Sequence, residues 1–175
     1  LMELVLSIQD AYESIDWSVI FLIAALIPLG QALHTTKADV TISNFILYIA
    51  DSILPYFSEE TYYIILISSL YFLSMIISSF LSNAAVAIVF TPIAIAISNY
   101  SGIDPRPLIF SVCLGASNSF LTPIGYQTNM MVYGPGQYKF NDFIKVGLPI
   151  SVIFWLIATY LITYFWPIQQ IQYIT

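Results

Sequence analysis

Leu121-Thr122-Pro123-Ile124-Gly125-Tyr126-Gln127-Thr128-Asn129 sets a proline, a glycine and several polar side chains inside an apolar stretch, and Leu81-Ser82-Asn83-Ala84-Ala85 interrupts another. Hydrocarbon tolerates irregular backbone only where protein or a water-filled cavity satisfies the freed N–H and C=O groups. Two such interruptions mark a place where something hydrophilic is held at membrane depth. Secondary transporters build their ion and substrate sites in this way.

Composition sets the surroundings. The 175 residues are 59% hydrophobic, 16% aromatic and 8% charged, with a mean hydropathy of +0.85. A soluble chain carries about 25% charged residues, so this is an integral, multi-pass membrane protein. Its apolar runs, Val19–Ile27, Ile64–Ile77, Ala84–Ile97 and Ile150–Phe165, are continuous. Membrane strands would instead alternate apolar and polar residues, so the fold class is all-α. A net charge of −6 argues against nucleic acid or anionic lipid as a partner. The single cysteine, Cys113, excludes an internal disulfide and reads as a small packing residue.

Residues 1–16 read as an external acidic segment, with Glu3, Asp10, Glu13 and Asp16 and no basic leader. A transporter half-domain is expected over 17–167. Its first helix spans 17–33, with Trp17 as interfacial anchor and Pro28 and Gly30 as bending points, and ends in the polar loop His34-Thr35-Thr36-Lys37. His34 reads as a solvated loop residue. An amphipathic helix follows over 40–55, carrying Ile42, Phe45, Ile46, Ile49 and Ile53 on one face. It either lies in the interface or crosses with its polar face against protein.

Thr61 to Ser98 is almost unbroken in hydrophobicity. As one helix it would run about 57 Å at 1.5 Å per residue, against a hydrocarbon core of about 30 Å. The chain must turn, and Ser78-Ser79 and Ser82-Asn83 are the polar turn formers near the middle. The second arm, Ala84–Ile97, is shorter than the ~17 residues of a full crossing, so a re-entrant hairpin is expected over 60–99. Two ordinary crossings joined by a tight turn are the alternative. A broken helix is expected over 107–134, unwound between Thr122 and Asn129, and a terminal helix over 142–166. If the second helix crosses, Lys37, Lys139 and Lys145 share one side and Arg106 takes the other. The positive-inside rule then makes the lysines cytoplasmic and both termini external, with the hairpin entering from outside. Trp17, Tyr56, Tyr62, Tyr63, Tyr100 and Trp166 would form the external aromatic belt. If the second helix lies in the interface, the basic residues divide two and two.

A hard cation takes oxygen ligands. Ser78, Ser82 and Asn83 at the hairpin tip, with backbone around Gly125, carry suitable atoms. Helix starts after Asn83 and near Asn129 would attract an anion without a buried lysine or arginine. Small polar residues also serve as helix-packing glue in membranes, and Ser-Asn recurs at 43–44, 98–99 and 117–118. The dipeptide alone is therefore weak.

Ser82-Asn83-Ala84-Ala85-Val86-Ala87 with Pro92, and Phe120 through Asn129 continuing to Tyr133-Gly134-Pro135-Gly136, resemble the second half of the divalent anion/sodium symporter family, part of the ion transporter superfamily. The resemblance covers most of the chain from Trp17 to Pro167. It implies two inverted repeats, each with a hairpin ending in Ser-Asn-Thr and a broken helix. By position, Ser82 and Asn83 match that motif, and Ala84 stands where threonine is usual. Ser78, Ser82, Asn83 and Gly125 match sodium-ligand positions. Ser82, Asn83, Ala84, Gln127 and Thr128 match substrate-facing ones.

The resulting expectation is one half of a sodium-coupled carrier for a divalent anion, sulfate or a di- or tricarboxylate, working by alternating access in the cytoplasmic membrane of a prokaryote. Its co-substrate would be a sodium ion, with no organic cofactor. Its partners would be a small anion, membrane lipid, a missing N-terminal transporter half and, alternatively, a second copy in a homodimer. A proton-coupled or arsenite-type carrier and a non-transporting scaffold subunit are the rival readings. An intramembrane enzyme would need paired carboxylates or a serine–base dyad at depth, and Asp51, Asp104 and His34 lie at edges or on an amphipathic face.

Overall fold

Caps encoded in the sequence set most helix ends. The computed structural model describes residues 12–15, 17–53 and 58–167, and its long elements are helices: α1 (Trp17–Thr35), α2 (Ala38–Ile53), α3 (Glu59–Ser78), α4 (Asn83–Ser101), α5 (Pro105–Ser117), α6 (Gln127–Tyr133) and α7 (Phe140–Phe165). The Ser58 hydroxyl accepts from Thr61 N at the start of α3, and the Ser82 hydroxyl accepts from Ala85 N at 3.3 Å at the start of α4. Asp104 accepts from Arg106 N at 2.9 Å, with prolines at the first turn of α5, where a missing donor costs nothing. α4 ends on Gly102, whose φ of +68° is open to glycine without strain. The expected acidic segment 1–16 and Tyr56 fall almost wholly outside the described residues.

Two boundaries differ from expectation. α4 runs 19 residues, to Ser101, because Ser101 folds its hydroxyl back onto Ile97 O at 2.8 Å and lets the helix continue past Ile97. The arm is long and apolar enough to cross a membrane, as are α3 and α7, so a short second arm no longer argues for re-entrance. The broken helix starts earlier, at Pro105, and unwinds after Ser117 rather than at Thr122. Gln127, Thr128 and Asn129 are already the first turn of α6.

α5 packs between the two arms of the α3–α4 hairpin. Leu66, Ile67 and Leu70 on α3, Ile93 and Ile97 on α4, and Leu108 and Val112 on α5 are fully buried there. Between helices in hydrocarbon such contacts rest on close packing rather than on the hydrophobic effect. A Cβ on Gly115 would lie 2.5 Å from Tyr71 O, which shows how closely α3 and α5 approach.

α7 runs antiparallel to α3: Trp155 Nε1 donates to Ser68 O at 3.1 Å, and Tyr63 OH donates to Trp166 O at 2.9 Å. Trp166 and the Asp104–Arg106 corner thus lie at the end of the bundle away from the hairpin turn. α1 runs parallel to α4, with Gly30 against Ile88. His34 and Asp39 share a cavity of about 550 Å³ with Pro92, Ile95, Asn99 and Tyr100 near the C-terminal end of α4. This corrects the expected sidedness. Lys37 lies with Arg106, and Trp17 lies at the opposite end from Tyr63, Tyr100 and Trp166, so the basic residues divide evenly and do not orient the chain.

The N-terminal end of α2 sits beside Asn99. Its other end is five residues from Ser58, within about 17 Å at full extension. Both ends therefore belong to one end of the bundle, and α2 lies across that end. Asp39, Ser43, Ile46 and Leu47 are its buried stripe, while Phe45 of the expected apolar face is exposed. Packing against neighbouring helices, not hydropathy, selects the stripe. His34 is not simply solvated, because its Nδ1 lies 2.9 Å from Asp39 Oδ2. Cys113 is exposed on α5 rather than packed.

Candidate functional site

The turn between α3 and α4 is only four residues, Ser79–Ser82. The Ser79, Phe80 and Leu81 N–H groups fold back onto carbonyls of the last turn of α3, and Ser82 spends its hydroxyl on capping α4. Helix α5 stops at Ser117 because the next residue leaves the helical region: Asn118 has φ −89° and ψ 67°, with its N–H on Gly115 O at 3.0 Å. The break from Asn118 to Tyr126 then passes directly beneath the turn.

Three contacts join turn and break. The Ser78 hydroxyl donates toward Ala116 O and lies 2.9 Å from Asn83 Oδ1. The Thr122 hydroxyl donates to Ser79 O and accepts from Gly125 N at 3.1 Å. Gly125 has no side chain to keep the strands of backbone apart: a Cβ there would lie 2.8 Å from Ser78 O and 3.0 Å from both Ser79 Cα and Ser79 O. Glycine is needed here for close approach, not for an unusual φ. Asn129, in the first turn of α6, reaches back with its amide to Ser119 O (2.9 Å) and Thr122 O (3.0 Å). Carbonyls freed by unwinding are thereby satisfied by protein, as irregular backbone at membrane depth requires.

Ser78, Asn83 and Gly125 come together as expected of one cluster. Ser82 is exposed and committed to its cap, and Ala84 is half-buried in the first turn of α4. Gln127 and Thr128 are exposed on α6, so they are not part of an unwound loop. Sequence reading used Thr122 and Asn129 only as bounds of the break and passed over Asn118; all three hold the break in place. Asn118 is nine-tenths buried or more and donates to Tyr71 OH (3.0 Å), Met75 Sδ (3.4 Å) and Ser151 O (3.1 Å), joining α3, the break and α7. Its signal was present: polar residues inside membrane segments are expensive and therefore purposeful.

Ser78 Oγ, the Asn83 side-chain amide and Ala116 O converge at the tip. Ser78 O and Ser79 O stand close by, against Gly125. Hydroxyl, amide and backbone carbonyl oxygens are the ligand types a hard cation uses.

Comparison with known proteins gives the family. A family described as citrate transporter matches residues 1–115 and, in an overlapping second match, 42–173. The chain belongs to the citrate transporter family. It is 36% identical over 91% of its length to an uncharacterized transporter of Synechocystis sp., and 32% identical over 91% to the uncharacterized transporter YfbS of Escherichia coli. It is 28% identical over 89% of its length to sodium/sulfate cotransporter 2 of Chlamydomonas reinhardtii. These matches cover 25%, 25% and 17% of the relatives, so the chain spans about a quarter or less of their length. The family and these relatives are described as transporters, and three helices among the described residues are long and apolar enough to cross a membrane.

Proposed function

We propose that this chain forms one wall of a sodium-coupled carrier for a divalent anion, sulfate or a di- or tricarboxylate, which works by alternating access. The observation that carries the reading is the oxygen cluster of Ser78, Asn83 and Ala116 at the docked hairpin tip, with the tip carbonyls against Gly125. Sodium would bind there through neutral oxygens. The exposed Ser82, Gln127 and Thr128, each within three residues of the Ser79–Gly125 contact, would face the anion, with Ala84 beside them. A sodium/sulfate cotransporter among the relatives supports the choice of ion and substrate class.

The rest of the cavity would come from an N-terminal half of the carrier or from a second copy, in the cytoplasmic membrane of a prokaryote. The hairpin is read as re-entrant because the break it docks on meets α7 at Gly147. That residue lies seven positions, about 10 Å, inside the start of α7.

The test is uptake by the protein as encoded, reconstituted in liposomes, with labelled sulfate and citrate under an inward sodium gradient. Ser78→Ala and Asn83→Leu should raise the sodium concentration for half-maximal uptake by about tenfold or more, the equivalent of ~1.4 kcal/mol. Uptake that is unchanged when choline replaces sodium and follows a proton gradient would overturn the sodium assignment.

A further inference from the structure

At the end of the bundle away from the tip, α2 and the C-terminal half of α4 line a cavity of about 550 Å³. Asp39 lies in its wall and is 2% exposed. Its Oδ1 accepts from Val40 N at 2.8 Å, and its Oδ2 lies 2.9 Å from His34 Nδ1. Among the described residues, no lysine or arginine lies within salt-bridge distance of it. Buried carboxylates are ordinarily paired with a cation, and an imidazole is not a permanent one. The His34 side chain is 79% exposed, so it covers Asp39 from outside with little packing to hold it there. Asn44 and Asn99 line the same cavity from the two helices, with amides that no other described residue engages.

The helix ends agree in sign with the carboxylate. α1 and α4 finish at this cavity, with His34 and Tyr100 in their last turns, and only α2 begins there. Helix C-termini favour a cation. We propose that the cavity binds a small primary ammonium ion. Its N–H groups would go to Asp39 and to the amide oxygens of Asn44 and Asn99, and its short apolar body against Pro92, Ile95 and Ala96. His34 would cover Asp39 until the ligand displaces it. The volume and the mix of apolar wall with a few polar groups are those of a small-molecule site. A metal ion would leave the apolar wall unused, and no group of three His, Cys, Asp or Glu side chains occurs among the described residues. The ligand has the opposite charge to the anion proposed at the tip, so this site does not rest on the transport reading. Its occupant would pin α2 to α4. Free amines and the headgroup of phosphatidylethanolamine share this chemistry.

Thermal unfolding of the protein as encoded, in detergent, tests this with n-butylammonium as the probe. Butylammonium should raise the melting temperature saturably. At equal concentration 1-butanol, which has no charge, and tetramethylammonium, which has no N–H, should not. Asp39→Asn should abolish the shift, and Asn99→Leu should raise the half-saturating concentration severalfold. Asn99 is exposed, so that variant decides if Asp39→Asn does not fold. His34→Ala should lower the half-saturating concentration severalfold, which a merely structural histidine would not do. Repeating the titration in vesicles separates the two sources. If a lipid headgroup fills the cavity, phosphatidylethanolamine mixed with phosphatidylglycerol should suppress the butylammonium shift seen in phosphatidylglycerol alone. Equal shifts in both vesicles assign a free amine. Absence of a saturable shift overturns the proposal, even where Asp39→Asn destabilises the protein, since a lysine or arginine of another segment would then be the partner of Asp39. A shift that is unchanged in Asn99→Leu and His34→Ala overturns it as well.

Discussion

Replacing Gly125 with alanine probes the contact on which the site rests. The added methyl would lie 2.8 Å from Ser78 O and 3.0 Å from Ser79 Cα and Ser79 O. All three are backbone atoms of a turn that is itself tied down, so no side-chain rotation relieves the clash. Overpacking of this kind costs about 1–3 kcal/mol, and the middle of that range is expected here. Two kcal/mol lowers the melting temperature of a protein of this size by roughly 4–8 °C. If sodium binds only to the docked tip, the same energy weakens its apparent affinity by up to about 30-fold, the full factor applying where docking is marginal. Gly134→Ala is the control: nothing lies within 4 Å of its Cβ position, its φ is −71°, and the change should be neutral or stabilising by less than ~1 kcal/mol. The assay is thermal unfolding of the purified protein, followed across a sodium titration. Equal melting temperatures and equal sodium dependence for the two variants would refute the docking argument.

Thr122→Val keeps the side-chain shape but removes a hydroxyl that serves both Ser79 O and Gly125 N. Thermal unfolding should show a loss of roughly 1–3 kcal/mol, with Thr122→Ser much milder. The Arg106 guanidinium holds the Asp104 carboxyl below the usual carboxylate range. A depressed folded pKa gives stability that is present above the unfolded value of about 3.9 and is lost as pH falls further. Asp104→Asn should therefore melt slightly lower than the parent at pH 7, by at most ~1 kcal/mol for so exposed a partner, and the gap should close in acid. Asp104→Ala, which also loses the cap, should cost about 1 kcal/mol more. Residues 1–175 expressed alone should show no sodium-driven uptake of sulfate or citrate above empty vesicles, and robust uptake by a verified monomer would contradict the one-wall reading.

Much of this architecture was legible in the residues because its causes are local. Pro123 and Gly125 within an apolar run signalled a break, and Ser82 and Asn83 signalled a turn. What local reasoning missed was decided across the chain. Asn118 looked like one more Ser-Asn pair, and only its meeting with Tyr71, Met75 and Ser151 from two other helices shows why the helix stops there. The face of α2 was misread for the same reason: Asp39 and Ser43 are buried because α1 and α4 supply partners and packing, which hydropathy cannot register. Sidedness failed through one assumption. Counting α2 as a crossing moved Lys37 to the wrong end, and with four basic residues one misplacement removes the signal.

The polar residues around the break fall into two groups with different work. Ser78, Thr122 and Asn118 are buried within this chain, and their hydrogen bonds join the hairpin, the break and α7 to one another. They make the tip and the break a single body rather than two mobile loops. Ser82, Gln127 and Thr128 are exposed, yet they lie within three residues of that contact. Polar groups at such a position are not left against lipid, where each unsatisfied group costs several kcal/mol. They must face water or further protein. A rigid seam behind and an open polar edge in front is the construction expected of a surface that binds on one side only. The edge would then meet its ion and anion as one preformed wall, and movement between inward and outward states would carry tip and break together.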